Sequence, residues 1–225
     1  MVLGSRTGER WRSLLENRQR LCQARPMSSK IPLRCRCGRM RGEADNVSPK
    51  TGNRAVCYCD DCQAFAHWLK TSDILDAHGG TDIFQLPPSN VRLFSGAEEL
   101  RCVRLSEKGV YRFYAGCCRT PIGNMAGARW AFIGLIHSFM DHQAEGHARE
   151  TVLGPASYIH GRFAIGNPPA HVHRSFPLGA ALKMMAYIFA WSLTGKQQPS
   201  AFFDSVTGQP RAVTQILSPA ERALL

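Results

Sequence analysis

No apolar run in this chain is long enough to cross a bilayer. The best stretch, residues 178–193, is short and carries Lys183 in its middle. No secretory leader is legible either, because the first residues are rich in Arg and lack an apolar stretch followed by small residues. Acidic residues are scarce, 17 Asp and Glu against 28 Lys and Arg, and there is no repeat of useful length. These absences argue against a membrane-spanning helix and lead to the expectation of a cytoplasmic protein in a reducing compartment. The net charge of +11 points weakly toward an anionic partner. Its basic residues form no run and no aromatic-interleaved stripe, so nucleic acid is not the expected ligand. Part of the charge sits in the first 26 residues, which hold six Arg against two Glu.

Cysteine, by contrast, is abundant and clustered. Seven of the nine thiols fall into three tight groups: Cys35 with Cys37, then Cys57, Cys59 and Cys62, then Cys117 with Cys118. Thiols so crowded are poorly placed to cross-link a core and well placed to surround a soft or borderline metal ion, Zn²⁺ first among candidates. The odd total also argues against a fully paired disulfide framework. A filled four-donor site is structural, whereas one with an open position can do chemistry. The trio offers three donors by itself. Cys102, alone on an expected strand, reads as a small core residue, and Cys22 as incidental. His67 follows the trio as an optional fourth ligand, a general acid–base or, by default, a packed side chain; His171-x-His173 is a weak metal signal.

The chain divides into three parts. Residues 1–26 form a basic extension, open to three readings: an over-long start with Met27 the true beginning, a disordered arm, or a targeting peptide. Glu9 and Glu16 count against a mitochondrial-type presequence. Residues 27–177 form the cysteine-bearing domain, and residues 178–225 a helix and tail. From Ile31 onward the pattern is of short strands, with a Pro/Gly/Asn turn at residues 48–53. A brief strand at residues 55–58 delivers the Cys57 cluster into a loop. Residues 91–94, 100–105 and 110–114 read as a meander, and residues 131–139 as a final buried strand. Residues 154–177 read as an irregular cover. Residues 178–194 read as an amphipathic helix packed on the sheet, with Leu182, Met185, Ile188, Phe189 and Leu193 at helical spacing and Gly195 as its stop.

Cys35-x-Cys37-Gly38, then Cys57-x-Cys59-x-x-Cys62, then a hairpin ending in Cys118-Arg119-Thr120-Pro121-Ile122 resembles the glutathione-dependent formaldehyde-activating (Gfa-like) enzymes of the Mss4-like superfamily. The resemblance covers roughly residues 31–139. It implies a mainly β fold of small sheets pinned by zinc, with the predicted C-terminal helix packed on it. It implies two zinc ions: a structural one held by Cys35, Cys37 and Cys118, and an exchangeable one at Cys57, Cys59 and Cys62. It further implies a carbon–sulfur lyase acting on a small thiol adduct such as a glutathione–aldehyde conjugate, with Arg54, Lys70 or Arg119 as candidates to hold glutathione's carboxylates. The alternative is a non-catalytic, zinc-stabilised protein-interaction module. Three departures stand out. Ala115 replaces the first hairpin cysteine, leaving Cys117 as the substitute ligand; Tyr58 stands where the family places His; and residues 154–225 lie beyond the match. Thr120 and its neighbours are expected to brace the metal loop.

Overall fold

The computed structural model describes residues 29–141 and 149–225. The basic extension with Cys22, and His142 and His147, lie outside them. The protein is mainly β, and its described residues form two sheets with four α-helices set against them. The smaller sheet has the order β1 (Ser29–Arg34), β2 (Arg41–Val47), β5 (Val91–Ser95), all antiparallel. The larger sheet has eight strands. Its central run is β3 (Asn53–Cys57), β4 (Thr81–Leu86), β9 (Ile133–Ile136), β8 (Pro121–Met125), β7 (Tyr111–Ala115) and β6 (Leu100–Arg104). Two short strands are added in parallel at its edges, β10 (Ser157–Ile159) on β3 and β11 (Thr214–Ile216) on β6.

Both faces of the large sheet are covered, and its strands show it. Successive side chains on a strand point to opposite faces. In β4, Ile83 faces one core while Phe84 and Leu86 enter the other; in β9, Ile136 parts in the same way from Ile133 and Leu135. One core joins the two sheets, with Ile31, Leu33 and Val91 meeting Phe84 and Phe113. The tail closes this core, since Phe202 and Phe203 are fully buried against Phe113 with ring centroids 4.9 and 5.7 Å away. The second core lies under helix α1 (Asp60–Leu69), where Phe65 and Leu69 meet Ile83, Val103 and Ile159.

Several expectations need correction. Residues 91–95 do not join a meander with β6 and β7; they pair with β2 in the small sheet. The loop expected after Cys59 is helix α1, with Asp60 and Asp61 in its first turn, where negative side chains meet the positive end of the helix dipole. The 154–177 cover carries α2 (Arg149–Leu153) at its entrance and contains β10. Helix α3 (Leu178–Leu193) forms where expected, and of the apolar residues named from its spacing only Ile188 is buried. Ile188 and Trp191 are buried, Tyr187 stacks on Trp191, and the Tyr187 hydroxyl donates to the Lys50 carbonyl at 3.0 Å. Leu178, Leu182, Met185, Phe189 and Leu193 are exposed. The helix is apolar nearly all round, so its periodicity shows that it can pack but not which side does. No helix among the described residues is long and apolar enough to cross a membrane.

Candidate metal centres

The turn between β1 and β2 carries Cys35 and Cys37. Gly38 takes φ +78, a left-handed conformation that glycine adopts without steric cost, and its N–H closes the turn on the Cys35 carbonyl at 2.9 Å. Opposite lies the turn between β7 and β8. There Arg119 takes φ +57 and its N–H bonds the Ala115 carbonyl at 2.7 Å. This tight reversal directs both adjacent thiols, Cys117 and Cys118, toward Cys35. The sulfurs of Cys37 and Cys117 lie 3.3 Å apart, those of Cys35 and Cys37 3.5 Å, and Cys117 lies 3.8 Å from both Cys35 and Cys118. Tetrahedral coordination with metal–sulfur bonds of about 2.3 Å spaces its ligands by about 3.8 Å, so this four-sulfur set fits such an ion. The surrounding bonds hold the sulfurs in place. The Met40 N–H donates to Cys35 Sγ at 3.3 Å, while Thr120 Oγ1 lies 3.1 Å from Cys118 Sγ and accepts from the Arg36 N–H at 2.9 Å. Thr120 thus braces the loops, as the sequence suggested.

The trio is built differently, from the end of one strand and the start of one helix. Cys57 ends β3, Cys59 is the extended residue that caps α1, and Cys62 lies in the helix's first turn with its N–H bonded to the Cys59 carbonyl. Gln63 fixes the connecting loop by donating to the Tyr58 carbonyl at 2.8 Å and the Phe163 carbonyl at 2.9 Å. Tyr58 points away from the sulfurs, its hydroxyl donating to Asp76 at 2.9 Å. Gly80 permits this arrangement: a Cβ there would come within 2.7 Å of the Tyr58 ring. The three sulfurs lie within 4.8 Å of one another, Cys57 and Cys59 at 3.4 Å. Among the described residues no further His, Cys, Asp or Glu ligand atom joins them. Cys57 and Cys62 are buried, and half-buried Cys59 borders solvent.

Both clusters concentrate negative charge on one sulfur. Bonds from Cys57 and Cys59, with the Arg112 guanidinium nearby, hold the Cys62 thiol well below its ordinary range. Cys57 rises instead, through proton sharing with its two neighbours and burial. Cys59 is pulled down by Cys57, but proton sharing with Cys62 and burial outweigh that and push it up to about 12. In the four-sulfur cluster burial raises Cys118, yet bonds from the Thr120 hydroxyl and from backbone N–H groups of Cys37 and Thr120 prevail, bringing it down to about 6. A thiolate already present is a first ligand, and a cation can displace the remaining protons.

Other candidates fall away from these centres. His67 Nδ1 pairs with Ser72 Oγ at 3.0 Å on the exposed side of α1. His171 packs its ring on Tyr158, and among the described residues neither it nor His173 belongs to a group of three possible ligands. Cys102 is buried in the core, as expected. Arg54 is buried in an ion pair with Asp82 at 2.7 Å and is not available to a ligand. Arg119 and Lys70 lie at the far end of α1, where Arg119 donates to the Trp68 carbonyl at 2.8 Å. The arginines that do reach the trio's surroundings come from strand and tail positions that carry no motif. Arg112 lies behind Cys62, and Arg222 of helix α4 (Pro219–Ala223) bonds Asp61 at 3.0 Å and Asp60 at 3.3 Å. Only the isolation of Arg112, the one charged residue between Lys108 and Arg119, could have hinted that a cation turns inward. Beside Asp60 and Asp61 opens a cleft of about 1090 Å³, walled by residues 105–107 and by the tail from Ile216 to Ala223.

Two clusters of cysteine that can hold metal ions, one with four donors and one with three, are thus the chemical centre of the molecule. No curated protein matches the chain. A model of a family of unknown function, DUF6151, matches residues 27–215, and the protein belongs to that family.

Proposed function

We propose that this is a zinc protein of Gfa-like kind with an Mss4-like fold, in which the four-cysteine cluster is structural and the trio is the working site for a small thiol adduct such as a glutathione–aldehyde conjugate. The observation that carries the reading is the contrast between four converging sulfurs at one site and three at the other. At the trio, the half-buried ligand faces outward. A zinc ion there would supply Lewis acidity toward a thiol or a carbonyl oxygen.

The chain's own residues divide the work. Cys57 and Cys62 hold from the core side, and Cys59 forms the solvent border. The start of α1 adds its positive dipole end to the same place. The neighbouring cleft has room for a small peptide-like thiol. In the forward reaction the thiol gives up its proton, its sulfur bonds to the aldehyde carbon as the carbonyl π bond opens, and that proton ends on the former carbonyl oxygen; the reverse breaks the carbon–sulfur bond and returns the proton to sulfur.

Metal-loaded protein mixed with glutathione and formaldehyde, followed by NMR, should show faster adduct exchange than buffer, and Cys59→Ser should abolish the gain. No acceleration for formaldehyde or a panel of other aldehydes would contradict the enzyme reading. A trio that holds its ion as tightly as the four-cysteine cluster would replace it with a purely structural module.

A further inference from the structure

Arg112 occupies the middle of β7, between Val103 of β6 and Asn124 of β8, and is 3% exposed. A charge so enclosed is costly unless an opposite charge meets it. Its hydrogen-bond partners meet it only in part. Asn124 Oδ1 at 3.3 Å is neutral, and Asp61 Oδ2 at 3.4 Å belongs to a half-exposed carboxylate whose other oxygen bonds Arg222. The Phe65 ring lies 5.6 Å away. Buried Cys62 shares a packing gap with Arg112, and Thr81 and Asn124 line that gap too. Thr81, opposite Cys57 in the β3–β4 register, is 2% exposed, and its Oγ1 has no hydrogen-bond partner among the described residues. A buried cation without a full counter-charge and a buried hydroxyl without a partner therefore converge on the inner side of the trio.

We propose that Arg112 is the positioning residue of the trio's metal site, supplying from the core side the charge that balances a divalent ion held by three thiolates and leaving Cys59 as the sulfur turned to solvent. Three thiolates around a divalent ion leave one net negative charge, and one guanidinium cancels it. An N–H donated toward Cys62 draws density from that sulfur and fixes its direction, and the Thr81 hydroxyl gains an acceptor when the neighbouring thiols ionise. The proposal rests on the metal reading of the trio and not on its aldehyde chemistry.

The test uses the full chain, with the four-cysteine cluster as internal reference. Zinc affinity at each site is measured by chelator competition, and Co²⁺-loaded protein by absorption, for Arg112→Met and Arg112→Lys. Methionine should weaken zinc at the trio about 10- to 100-fold, the usual cost of losing a partner behind a metal ligand, and leave the four-cysteine site unchanged. It should also move the thiolate-to-cobalt charge-transfer band to longer wavelength. Lysine, which keeps the charge but not the fork, should recover part of both. Trio affinity within twofold of the parent in Arg112→Met would overturn the proposal. So would an equal loss at both sites, or a lysine variant no better than methionine. A parent protein that takes no metal at the trio overturns this proposal and the functional reading together, whereas a metal-binding parent with an unaffected methionine variant overturns this proposal alone.

Discussion

Arg222 reaches across 161 positions of sequence to bond Asp61 at 3.0 Å, and Asp61 lies between Cys59 and Cys62 in the first turn of α1. Helix α4 is thereby fastened to the start of α1, and its own start is set by a capping box in which Ser218 accepts from the Glu221 N–H and the Glu221 carboxylate accepts from Ser218. The tail thus forms one wall of the cleft at the candidate working site.

Removing this fastening should expose the trio without unfolding the protein. The pair is partly exposed, with side chains at 25% and 42%, so Arg222→Ala should change global stability by about 1 kcal/mol or less. Alkylation of Cys59 in chelator-treated protein should become faster. An unchanged rate, read by mass spectrometry, would show that the tail does not shield the site.

The two clusters should respond differently to loss of one sulfur. Cys35→Ser removes a buried ligand that ties the β1–β2 turn to the β7–β8 turn. Because ion binding at such a site is coupled to folding, the variant should melt at a much lower temperature. Cys59→Ser should keep the parent's circular dichroism and lose one metal. Equal collapse of both variants would make the trio structural.

Metal capture should release protons. The raised thiols Cys57 and Cys59 are protonated at neutral pH in the metal-free protein, while Cys62 is held lower by its neighbours. Filling the trio therefore expels protons, those of Cys57 and Cys59 first, and its affinity strengthens as pH rises and weakens as pH falls. Titration with zinc in weak buffer containing a pH indicator measures this directly. An affinity that does not vary with pH would mean the thiols are not the ligands.

Away from the metal centres, Asp82 accepts from both Arg54 and Arg149 in a pocket where Arg54 and Asp82 are almost fully enclosed. Asp82→Asn leaves the Arg54 guanidinium buried with one mostly exposed carboxylate, Glu150 at 3.2 Å. A loss of about 3 kcal/mol in denaturant unfolding is expected, because an uncompensated buried charge is the costly case.

The cysteine grouping was legible because ligand spacing is local: Cys35 with Cys37, and Cys57 with Cys59 and Cys62, lie within single turns, and the distant half at Cys117 and Cys118 is itself a pair. Strands β2, β3, β6 and β7 could be read in outline for the same reason. Pairing across long separations could not. Nothing in residues 91–95 shows that β5 prefers β2 to β6, and β10 and β11 are three-residue strands that exist only because β3 and β6 offer free edges. Helix α1 was masked by its motif, although Asp60 and Asp61 before Ala64, Phe65 and Leu69 carry a helix-start pattern. Arg112 and Arg222 were missed because a cation on a strand or in a tail reads as surface until the fold closes over it.

The central claim, two cysteine centres of which one is filled by the chain and one left open, is tested most directly by metal content measured by elemental analysis before and after mild chelation. Two ions per chain are expected, one removed readily and one retained, with the retained ion lost only on unfolding. Two ions held equally tightly, or a single ion that survives intact in Cys59→Ser, would contradict it.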